Sequence, residues 1–463
     1  MSGQPFALTA REMADAFGGV LGYGAEDRPL PTVSIDTRTL VPGDLFVALR
    51  GPRFDGHGFV AQAIARGAGG VVVSDPAAVT ATDLPVIVVE DTLRGLQEAA
   101  RIIRRRAAST VVAITGSAGK TTTKEITATL LSRRFTTFRN RGNLNNHIGL
   151  PLSLFELHTA PRFAVVELGM SGIGEISRLV SIAEPNVRVW TNVGEAHIGF
   201  FASVDEIALA KEEILEGATP DDVFVANAGD PRVAARTAGF AGRVVTFGVD
   251  VAADVTVTGI QSRGLDGTTA TLSLAGDSRP IETRLLGGAN LANIAAASAV
   301  AMLSGLSADE IVTGVADLLP AAHRGEVVRT PQGWVVIDDA YNSSPSALTR
   351  ALHTLPSVPG RHVAMLGEML ELGDFAEQFH AACGKAAADL GVGVIVSVGG
   401  SPARALADAA SAAGAPIVHH VSDSAAAAAL ARRLVREGDA VLVKGSRGIH
   451  MEAVVQALTE GAR

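Results

Sequence analysis

The chain has 463 residues, of which 47% are hydrophobic, 19% are charged and only 4% are aromatic. Such a chain is too long for one ordinary core and predicts about three globular domains, with alanine and valine filling most of the interior. The formal net charge of −9 argues against non-specific nucleic-acid binding, because a large basic face would need even heavier acidic compensation elsewhere.

Cysteine content and apolar patterning predict a cytoplasmic protein. Cys383 is the only cysteine, so one chain can form neither a disulfide nor a thiolate metal site, as is typical of a reducing compartment. Arg11, Glu12 and Asp15 interrupt the apolar residues near the N-terminus, which indicates an amphipathic helix and not a signal peptide. No apolar run approaches the length of a membrane span, so we expect no membrane insertion.

Residues 1–105 predict a small α/β domain. The segments VSIDTR, DLFVAL, GGVVVSD and PVIVVED are typical of short strands separated by turns and helices. In the first of them, Ser34, Thr37 and Arg38 concentrate hydrogen-bonding groups on a loop. These residues either serve the local turn or hold a phosphate or nucleotide head group through Arg38. The sequence leaves both interpretations open.

A phosphate-binding loop opens the second predicted domain, 106–320. A buried strand over 111–115 leads into a glycine turn and then a helix; the loop comprises Gly116, Ser117, Ala118, Gly119, Lys120, Thr121 and Thr122. Glycine lets the backbone approach an anion, and the helix N-terminus presents free N–H groups to it. Lys120 would reach the terminal phosphates, and the Thr121 hydroxyl would hold Mg²⁺. Ile114 replaces the first glycine of the eight-residue pattern, so this is a shorter version.

Further polar residues follow strands of the same domain. Glu167 lies at the end of a predicted strand and His197 in the loop after the next one. In an open α/β sheet the carboxyl ends of the strands line the ligand crevice, so both are candidate metal ligands, although a lone histidine is more often structural. Asn143, Asn145 and Asn146 suit a loop that reads a polar ligand, or they satisfy their own backbone.

Lys211 lies between Ile207 and Ile214 on the inward face of a predicted helix. A lysine in this position either snorkels to solvent or is buried with a lowered pKa. A neutral amine near a metal can take up CO₂ and become a carbamate, which is a carboxylate-like ligand. The residues alone favour snorkelling.

Two features mark the second half of the chain. Residues 243–286 predict strands and hairpins, after which Asn290 either contacts a purine edge or caps an alanine-rich helix. Residues 321–463 alternate strands and helices, as in a doubly wound Rossmann-like domain. The loops DDAYNSSPS, GEMLELGD and KGSRG concentrate polar residues after three of its strands.

The ordered motifs resemble those of the ATP-dependent Mur ligases of peptidoglycan synthesis over essentially the whole chain; they are TGSAGKTTTKE, GNLNNHIGLPLSL, ELGMSGIGEI, NVGEAHIGFF, LAKEEI, DDAYNSSPSAL, LGEMLELGD and VLVKGSRG. The resemblance is strongest to the members that join D-alanyl-D-alanine to UDP-N-acetylmuramoyl-tripeptide. It implies a three-domain α/β fold and a reaction through an acyl phosphate that yields ADP and phosphate. We expect a monomer with ATP and Mg²⁺ as cofactors.

The resemblance also implies roles for individual residues. The expected catalytic residues are Lys120, Glu167, His197, Lys211 and Arg324. The expected metal ligands are Thr121, Glu167, His197 and a carbamylated Lys211. The expected nucleotide contacts beyond the loop 116–122 are Asn290, Arg324 and Asp339. The expected substrate contacts are Ser34, Thr37 and Arg38 for the UDP group, together with Asn143, Asn145, Asn146, Asn342 and Ser346.

Two departures and several alternatives accompany the resemblance. Ala289 stands where relatives usually carry histidine, and Ser344 stands where the motif usually has a second asparagine. A Mur ligase that adds a single amino acid is the nearest alternative, but its typical Asp-Asn-Pro-Arg motif does not occur in this sequence. A folate- or cyanophycin-type ligase, a P-loop kinase and a regulatory nucleotide-binding module are more distant alternatives. The residues leave open whether the tripeptide carries diaminopimelate or lysine.

Overall fold

The computed structural model describes residues 5–51, 54–80 and 82–460. Three main sheets follow one another along this part of the chain, each flanked by helices, which confirms the predicted α/β class and three-domain organisation. The domain boundaries remain predictions. The one placed after residue 105 lies inside a helix, Thr92–Ala107, and the outer limits 1 and 463 lie outside the described residues.

The first part of the chain forms a small sheet. Its elements are α1 (Ala10–Ala16), β1 (Val20–Tyr23), β2 (Val33–Ser34), β3 (Leu45–Val47), β4 (Arg50–Gly51), β5 (Phe54–Asp55), α2 (Val60–Ala65), β6 (Gly70–Val73), β7 (Val86–Val88) and α3 (Thr92–Ala107). The strand order is β1-β7-β6-β3-β2, with β1 antiparallel to β7 and the other neighbours parallel. The predicted strands correspond to β2, β3, β6 and β7. The sequence analysis missed β1, because this edge strand is largely exposed and lacks a buried apolar alternation.

The central sheet is the largest. Its elements are β8 (Thr110–Thr115), α4 (Lys120–Ser132), β9 (Thr137–Arg139), α5 (Gly149–Phe155), β10 (Phe163–Glu167), α6 (Glu175–Ala183), β11 (Val187–Trp190), α7 (Val204–Glu212), β12 (Val223–Asn227), α8 (Pro231–Ala234), β13 (Arg243–Val249), β14 (Val255–Ser262), β15 (Thr268–Leu274), β16 (Asp277–Thr283), α9 (Gly288–Leu303) and α10 (Ala308–Ala316). The strand order is β16-β15-β14-β13-β12-β11-β8-β10-β9. The β-rich run predicted over 243–286 is confirmed as β13 to β16, of which the last three pair antiparallel.

The position of β8 explains why the site forms beside it. This strand is buried and is paired in parallel with β10 on one side and β11 on the other. The chain passes from β10 to β11 across β8, so the strand order reverses there. In open α/β sheets such a reversal leaves a crevice at the carboxyl ends of the strands. The loops after β8, β10 and β11 therefore meet at one place.

The third part of the chain repeats the strand and helix alternation predicted for it. Its elements are β17 (Glu326–Arg329), β18 (Val335–Asp339), α11 (Pro345–Leu352), β19 (Arg361–Gly367), α12 (Ala376–Asp389), β20 (Val394–Val398), α13 (Ser401–Ala412), β21 (Ile417–Val421), α14 (Ser424–Leu434), β22 (Asp439–Lys444) and α15 (Glu452–Thr459). The strand order is β17-β18-β22-β19-β20-β21, and only β17 pairs antiparallel within the described residues. The strands β18, β22 and β19 are neighbours, so their carboxyl ends lie side by side.

Apolar side chains pack helices on the sheets and join the parts of the chain. In α4, Ile126, Leu130 and Leu131 are almost fully buried against the central sheet and α9, at the spacing of an amphipathic helix. The buried guanidinium of Arg104 in α3 donates to the carbonyl oxygens of Ala183 (2.7 Å) and Glu184 (2.8 Å). This arginine fastens the helix after the first sheet to the central one. Among the described residues, none of the helices is both long and apolar enough to cross a membrane.

Candidate active site

A cavity of about 1160 Å³ lies between the central and third sheets. Its lining follows β8, β10, β11 and β12 of the central sheet and β18, β19 and β22 of the third. The predicted site residues that line it are Ser117, Ala118, Gly119, Lys120, Thr121, Thr122, Asn143, Asn145, Asn146, Glu167, His197, Asn290, Arg324, Asp339, Asn342 and Ser346. The predicted residues outside its lining, within the described chain, are Gly116, Lys211, Ser34, Thr37 and Arg38.

Glycine is required at two positions of the phosphate-binding loop. Gly116 has φ +147° and Gly119 has φ +82°, values that side chains other than glycine rarely adopt. A Cβ at residue 116 would overlap the hydroxyl of Thr191, and one at residue 119 would overlap the amide of Asn293. Gly119 is the N-cap of α4, and no side chain caps this helix end. The first N–H groups of α4 are therefore free to bind an anion.

Two cations meet at this helix end. The Lys120 amine donates to the carbonyl oxygen of Gly116 (2.7 Å), and Arg324, from the segment before β17, donates to the Thr121 hydroxyl (3.0 Å). Burial lowers the pKa of Lys120, an effect opposed by the Glu167 carboxylate and reinforced by the Arg324 charge. An anion placed between Lys120 and Arg324 would restore the charge balance. The geometry therefore suits a phosphate group.

Glu167 is held in place by one donor from α4 and one from the Asn-rich loop. Its carboxylate accepts hydrogen bonds from the Thr121 hydroxyl (2.6 Å) and from the Asn145 amide (2.8 Å), and the residue is only 4% exposed. The Asn-rich loop satisfies part of its own backbone, as one interpretation expects, and its reading of a polar ligand stays a prediction. Asn145 donates to Glu167, whereas the Asn146 side chain accepts from the backbone N–H groups of Ile148 and Gly149 at the start of α5.

A buried lysine supports the Asn-rich loop and the end of β10. Lys124 in α4 is fully buried, and its amine donates to the carbonyl oxygen of Asn140 (2.6 Å). The Asn140 side chain in turn donates to the Leu144 carbonyl oxygen and accepts from the Glu167 N–H. Lys124 thus positions the segment that carries Asn145 and Glu167.

Replacing Lys124 with methionine is expected to lower the free energy of unfolding by about 1–3 kcal/mol, because a buried carbonyl loses its donor. Urea titration of the variant beside wild type measures the change. Lys385→Met is the matched control, since this lysine is exposed and pairs with Asp389 one turn away. A Lys124→Met protein as stable as the control would refute the supporting role.

His197 contacts the third part of the chain. Its Nδ1 lies 2.5 Å from a carboxylate oxygen of Glu371, and the Gly199 N–H donates to the Glu371 carbonyl oxygen (2.9 Å). Both His197 (φ +70°) and Glu371 (φ +64°) are in the left-handed region, which costs free energy and is concentrated at functional sites. Burial lowers the pKa of His197 although the Glu371 hydrogen bond opposes it. A neutral imidazole that donates from Nδ1 presents an unprotonated Nε2.

Lys211 is buried, so the snorkelling interpretation is wrong. The residue is only 1% exposed, and its neighbours Ile207 and Ile214 are fully buried. Its amine forms no hydrogen bond or ion pair with any residue in the described part of the chain. Burial places the pKa of Lys211 well below its ordinary value, and the charge of Lys120 lowers it further.

The remaining cavity residues are held from the third sheet and from α9. The Asp339 carboxylate forms an ion pair with Lys444 (2.6 Å), whose amine also donates to the Asn342 carbonyl oxygen. Asn290 is not a helix cap, because the N-cap of α9 is Gly287 and Asn290 is already helical; its amide donates to the Leu286 carbonyl oxygen. Ser344 is the N-cap of α11 but accepts no capping hydrogen bond through its side chain.

The three predicted residues of the first sheet lie apart from the cavity. The Ser34 hydroxyl bonds to the backbone of Asp36, and the exposed guanidinium of Arg38 forms an ion pair with the Asp36 carboxylate (2.6 Å). That pairing lowers the pKa of Asp36 to about 2. The Thr37 hydroxyl donates to the side chain of Gln62. These contacts are those of a turn, and the assignment of the three residues to a nucleotide head group stays a prediction.

Several cavity residues were not singled out from the sequence. They are Glu195, Tyr341, Arg350, Glu371, Lys444 and Arg447. The signal that could have found most of them is their position after predicted strands, in the loops NVGEAHIG, DDAYNSSPS, GEMLELGD and KGSRG. Tyr341 lies under two guanidinium groups, with the carbon of Arg324 4.1 Å and that of Arg447 5.0 Å from its ring centroid. Contacts of this kind join distant segments and leave no local pattern.

Three family models match consecutive parts of the chain. They are described as the Mur ligase family catalytic domain over residues 30–104, the Mur ligase middle domain over 114–301, and the Mur ligase glutamate ligase domain over 323–447. Each match lies within the part of the chain that forms one of the three sheets; the first does not reach β1, and the second begins inside β8.

Relatives and solved structures agree with these matches over nearly the full chain. The UDP-N-acetylmuramoyl-tripeptide--D-alanyl-D-alanine ligase of Escherichia coli is 36% identical over 98% of this chain and 99% of its own, and that of Bacillus subtilis is 32% identical over 98% of both. The crystal structure of MurF from Acinetobacter baumannii superposes with a TM-score of 0.88 at 33% identity, covering 98% of this chain and 99% of its own. MurF from Thermotoga maritima in complex with ADP gives 0.82 at 29% identity, covering 93% and 97%. The chain therefore belongs to the Mur ligase family.

Proposed function

We propose that the protein is an ATP-dependent ligase that joins D-alanyl-D-alanine to UDP-N-acetylmuramoyl-tripeptide in the synthesis of peptidoglycan precursors. The observation that carries the proposal is the meeting of Lys120 and Arg324 at Thr121. A phosphate-binding loop and a cation from a second domain face one cavity there. The full-length likeness to ligases with this named activity supports the choice of substrates.

Neutralisation of charge is the main physical demand of such a reaction. A carboxylate has to approach a triphosphate, and both are anions. Lys120, Arg324 and the uncapped start of α4 converge where the phosphates would lie, and such fixed donors stabilise charge that develops in a transition state. We assign Asn290 and Asp339 to the nucleotide, and Asn143, Asn342 and Ser346 to the peptide substrates, because all of them line the same cavity.

The proposed reaction has two steps. An oxygen of the terminal carboxylate of the tripeptide attacks the γ-phosphorus of ATP, so that a P–O bond forms and ADP leaves. The amine of D-alanyl-D-alanine then attacks the acyl carbon, loses a proton and displaces inorganic phosphate. Closure of the third domain over the cavity keeps water from the acyl phosphate. The contacts of Arg324 with Thr121 and of Glu371 with His197 provide that closure.

The residues around Glu167 fit a hard divalent cation such as Mg²⁺. Glu167 supplies a buried carboxylate with a hydroxyl beside it, and these are the donors that Mg²⁺ prefers. Bound Mg²⁺ would polarise phosphoryl oxygens and offset their charge. In the described residues no group of three or more His, Cys, Asp and Glu side chains is arranged around one point. Glu167 and His197 therefore need a further ligand.

Lys211 supplies that ligand if it is carbamylated. Its amine is buried, unpartnered and shifted toward the neutral form, which is the form that attacks CO₂. A new N–C bond gives a carbamate and releases a proton. The product places a carboxylate where the unmodified chain has an amine, and the positive charge of nearby Lys120 stabilises it. We propose this modification as part of the metal site.

Glu371 is proposed to orient His197 toward the metal. A carboxylate on the far ring nitrogen fixes the tautomer of a metal-binding histidine, and its loss typically reduces metal affinity or activity by about 10–100-fold. We expect Glu371→Gln to raise the Mg²⁺ concentration needed for half-maximal activity by about 10-fold. Titration of Mg²⁺ at saturating substrates measures the effect. Glu377→Gln on α12 is the control, and an unchanged Mg²⁺ requirement in Glu371→Gln would refute the role.

Three further assignments belong to the proposal. Ser34, Thr37 and Arg38 hold the UDP group at the first sheet, where Arg38 can exchange Asp36 for a phosphate. The protein acts as a monomer, as the family resemblance implies. It acts in the cytoplasm, in keeping with its single, buried, unpaired cysteine.

One assay tests the proposal. Phosphate release is measured with UDP-tripeptides that carry diaminopimelate or lysine, each with and without D-alanyl-D-alanine. We expect release only when a UDP-tripeptide and the dipeptide are both present, and the preferred tripeptide identifies its third residue. Equal release without the dipeptide would indicate an ATPase or a kinase, and release with single amino acids would indicate a different Mur ligase.

A further inference from the structure

Arg350 is an exposed cation of the cavity wall. It lies on α11 and lines the cavity, but its guanidinium forms no hydrogen bond or ion pair with any residue that the structure describes. Other cations of the wall have partners. The Lys120 amine donates to a carbonyl oxygen, the Arg324 guanidinium donates to a hydroxyl, and the Lys444 amine forms an ion pair with a carboxylate. Arg447 is stacked on an aromatic ring. Arg350 is thus available to an anionic ligand.

Glu195 is the complementary group on the opposite wall. It lies in the loop after β11, lines the same cavity and has one carboxylate oxygen, Oε2, that is buried and accepts no hydrogen bond. Buried polar atoms in native proteins nearly always have a partner, so an unsatisfied one calls for an explanation. A positively charged ligand group would satisfy it.

The two groups lie near each other where the central and third sheets meet. The first turn of α11 packs on the Glu195 loop, where a Cβ at Gly194 would lie 3.3 Å from the Ser346 hydroxyl oxygen. The Glu195 carboxylate lies close enough to influence the charge of Arg350, as does Asp339. Arg350 nevertheless forms an ion pair with neither. Glu195 and Arg350 thus act on each other through space without a direct bond, and each keeps the capacity to bond to a charged ligand group.

We propose that Glu195 and Arg350 form the binding site for the zwitterionic dipeptide, with Glu195 on its ammonium group and Arg350 on its terminal carboxylate. This inference rests on the proposed function. An extended dipeptide spans at most about 7 Å, so its ammonium group and its carboxylate can each bind a different side chain, one on either side of the cavity. Arginine suits a carboxylate because its planar donors match the two oxygens. In the proposed function the phosphates of ATP bind elsewhere, at the loop after β8.

The central test uses a substrate that lacks the carboxylate. D-alanyl-D-alaninamide keeps the nucleophilic amine and replaces the terminal carboxylate with a neutral amide. Wild type is expected to show a KM for the dipeptide at least about 10-fold below that for the amide, the size of a charge-assisted hydrogen bond. In Arg350→Gln the two KM values should become equal through a rise in the dipeptide value. The KM values for ATP and UDP-tripeptide should stay unchanged, and Arg350→Lys should restore part of the preference.

Glu195 is tested with a ligand that lacks the ammonium group. N-acetyl-D-alanyl-D-alanine cannot attack and serves as a competitive inhibitor. We expect Glu195→Gln to raise the KM for the dipeptide at least about 10-fold and to leave the inhibition constant of the acetylated compound unchanged. Arg433→Gln is the matched control for Arg350→Gln, because this exposed arginine lies on α14 outside the cavity lining.

The outcomes separate this inference from the proposed function. If wild type releases phosphate with the dipeptide but Arg350→Gln keeps the preference for the carboxylate, the inference is wrong and the proposed function stands. Equal losses for all three substrates would show that Glu195 and Arg350 only join the domains, which also overturns it. If wild type makes no product with the dipeptide at all, the proposed function fails and the inference fails with it.

Discussion

Replacing Lys120 with alanine is expected to lower ATP-dependent phosphate release by about 10³-fold or more, the range found when a preorganised cation or donor at a phosphoryl group is removed. The reason is geometric. Lys120 follows a glycine turn that admits no Cβ at residues 116 and 119, and its amine lies at the start of a helix with no side-chain cap. Burial already lowers the pKa of Lys120, and a phosphate at this point would favour its charged form.

Stopped or continuous phosphate assays with both substrates present measure the loss. Lys385→Ala on α12 is the control, since this lysine is exposed and pairs with Asp389 on the same helix. Unchanged helix content and thermal unfolding would show that Lys120→Ala is folded. A folded Lys120→Ala protein with wild-type turnover would contradict the assignment of the loop to the transferred phosphate.

Replacing Lys211 with alanine is expected to lower the rate of ligation by more than about 100-fold. Loss of a group that only orients a metal ligand reduces metal affinity or activity by up to about 100-fold, and loss of the ligand itself should cost at least as much. The buried amine has no partner among the described residues, and its pKa is lowered by burial, so its retention inside the core requires a function. Lys211→Glu is expected to be more active than Lys211→Ala, because it returns a carboxylate to the same place.

Intact-mass measurement near neutral pH, before and after removal of bicarbonate, checks the chemical basis of this effect. We expect wild type to carry the mass of one added CO₂ and to lose activity as that mass disappears. Lys124→Ala is the control for the mass alone: Lys124 is equally buried but bonds to the Asn140 carbonyl oxygen, so this variant should still carry the added CO₂. Full activity of wild type without the added mass would show that Lys211 acts as an amine.

The sequence allowed the phosphate-binding loop to be predicted in detail because its signal is local. A strand, a glycine turn and a helix start follow one another within a dozen residues, and each has a compositional signature. The strand-end positions of Glu167 and His197 were predictable for a similar reason. Hydrophobic periodicity defined the strands around them. The cavity lining agrees with both placements.

Other features depend on contacts that no local pattern reports. Lys211 looked like a snorkelling lysine because a helical wheel shows which side faces inward but not how deep that side lies. The contact of His197 with Glu371 joins residues 174 positions apart, and the facing charges of Glu195 and Arg350 arise only when two domains meet. Ser34 and Arg38 are bonded within their own turn, an arrangement that sequence composition predicts equally well with or without a ligand.

The transfer of oxygen from substrate to phosphate tests most directly whether a carboxylate is activated by ATP. The terminal carboxylate of UDP-tripeptide is labelled with ¹⁸O, and the phosphate released during ligation to D-alanyl-D-alanine is analysed by mass spectrometry. Attack of the carboxylate on the γ-phosphorus predicts one ¹⁸O atom in each phosphate, with the other retained in the new amide. Unlabelled phosphate, with both labelled oxygens still on the carboxyl group, would show that ATP is hydrolysed without forming an acyl phosphate.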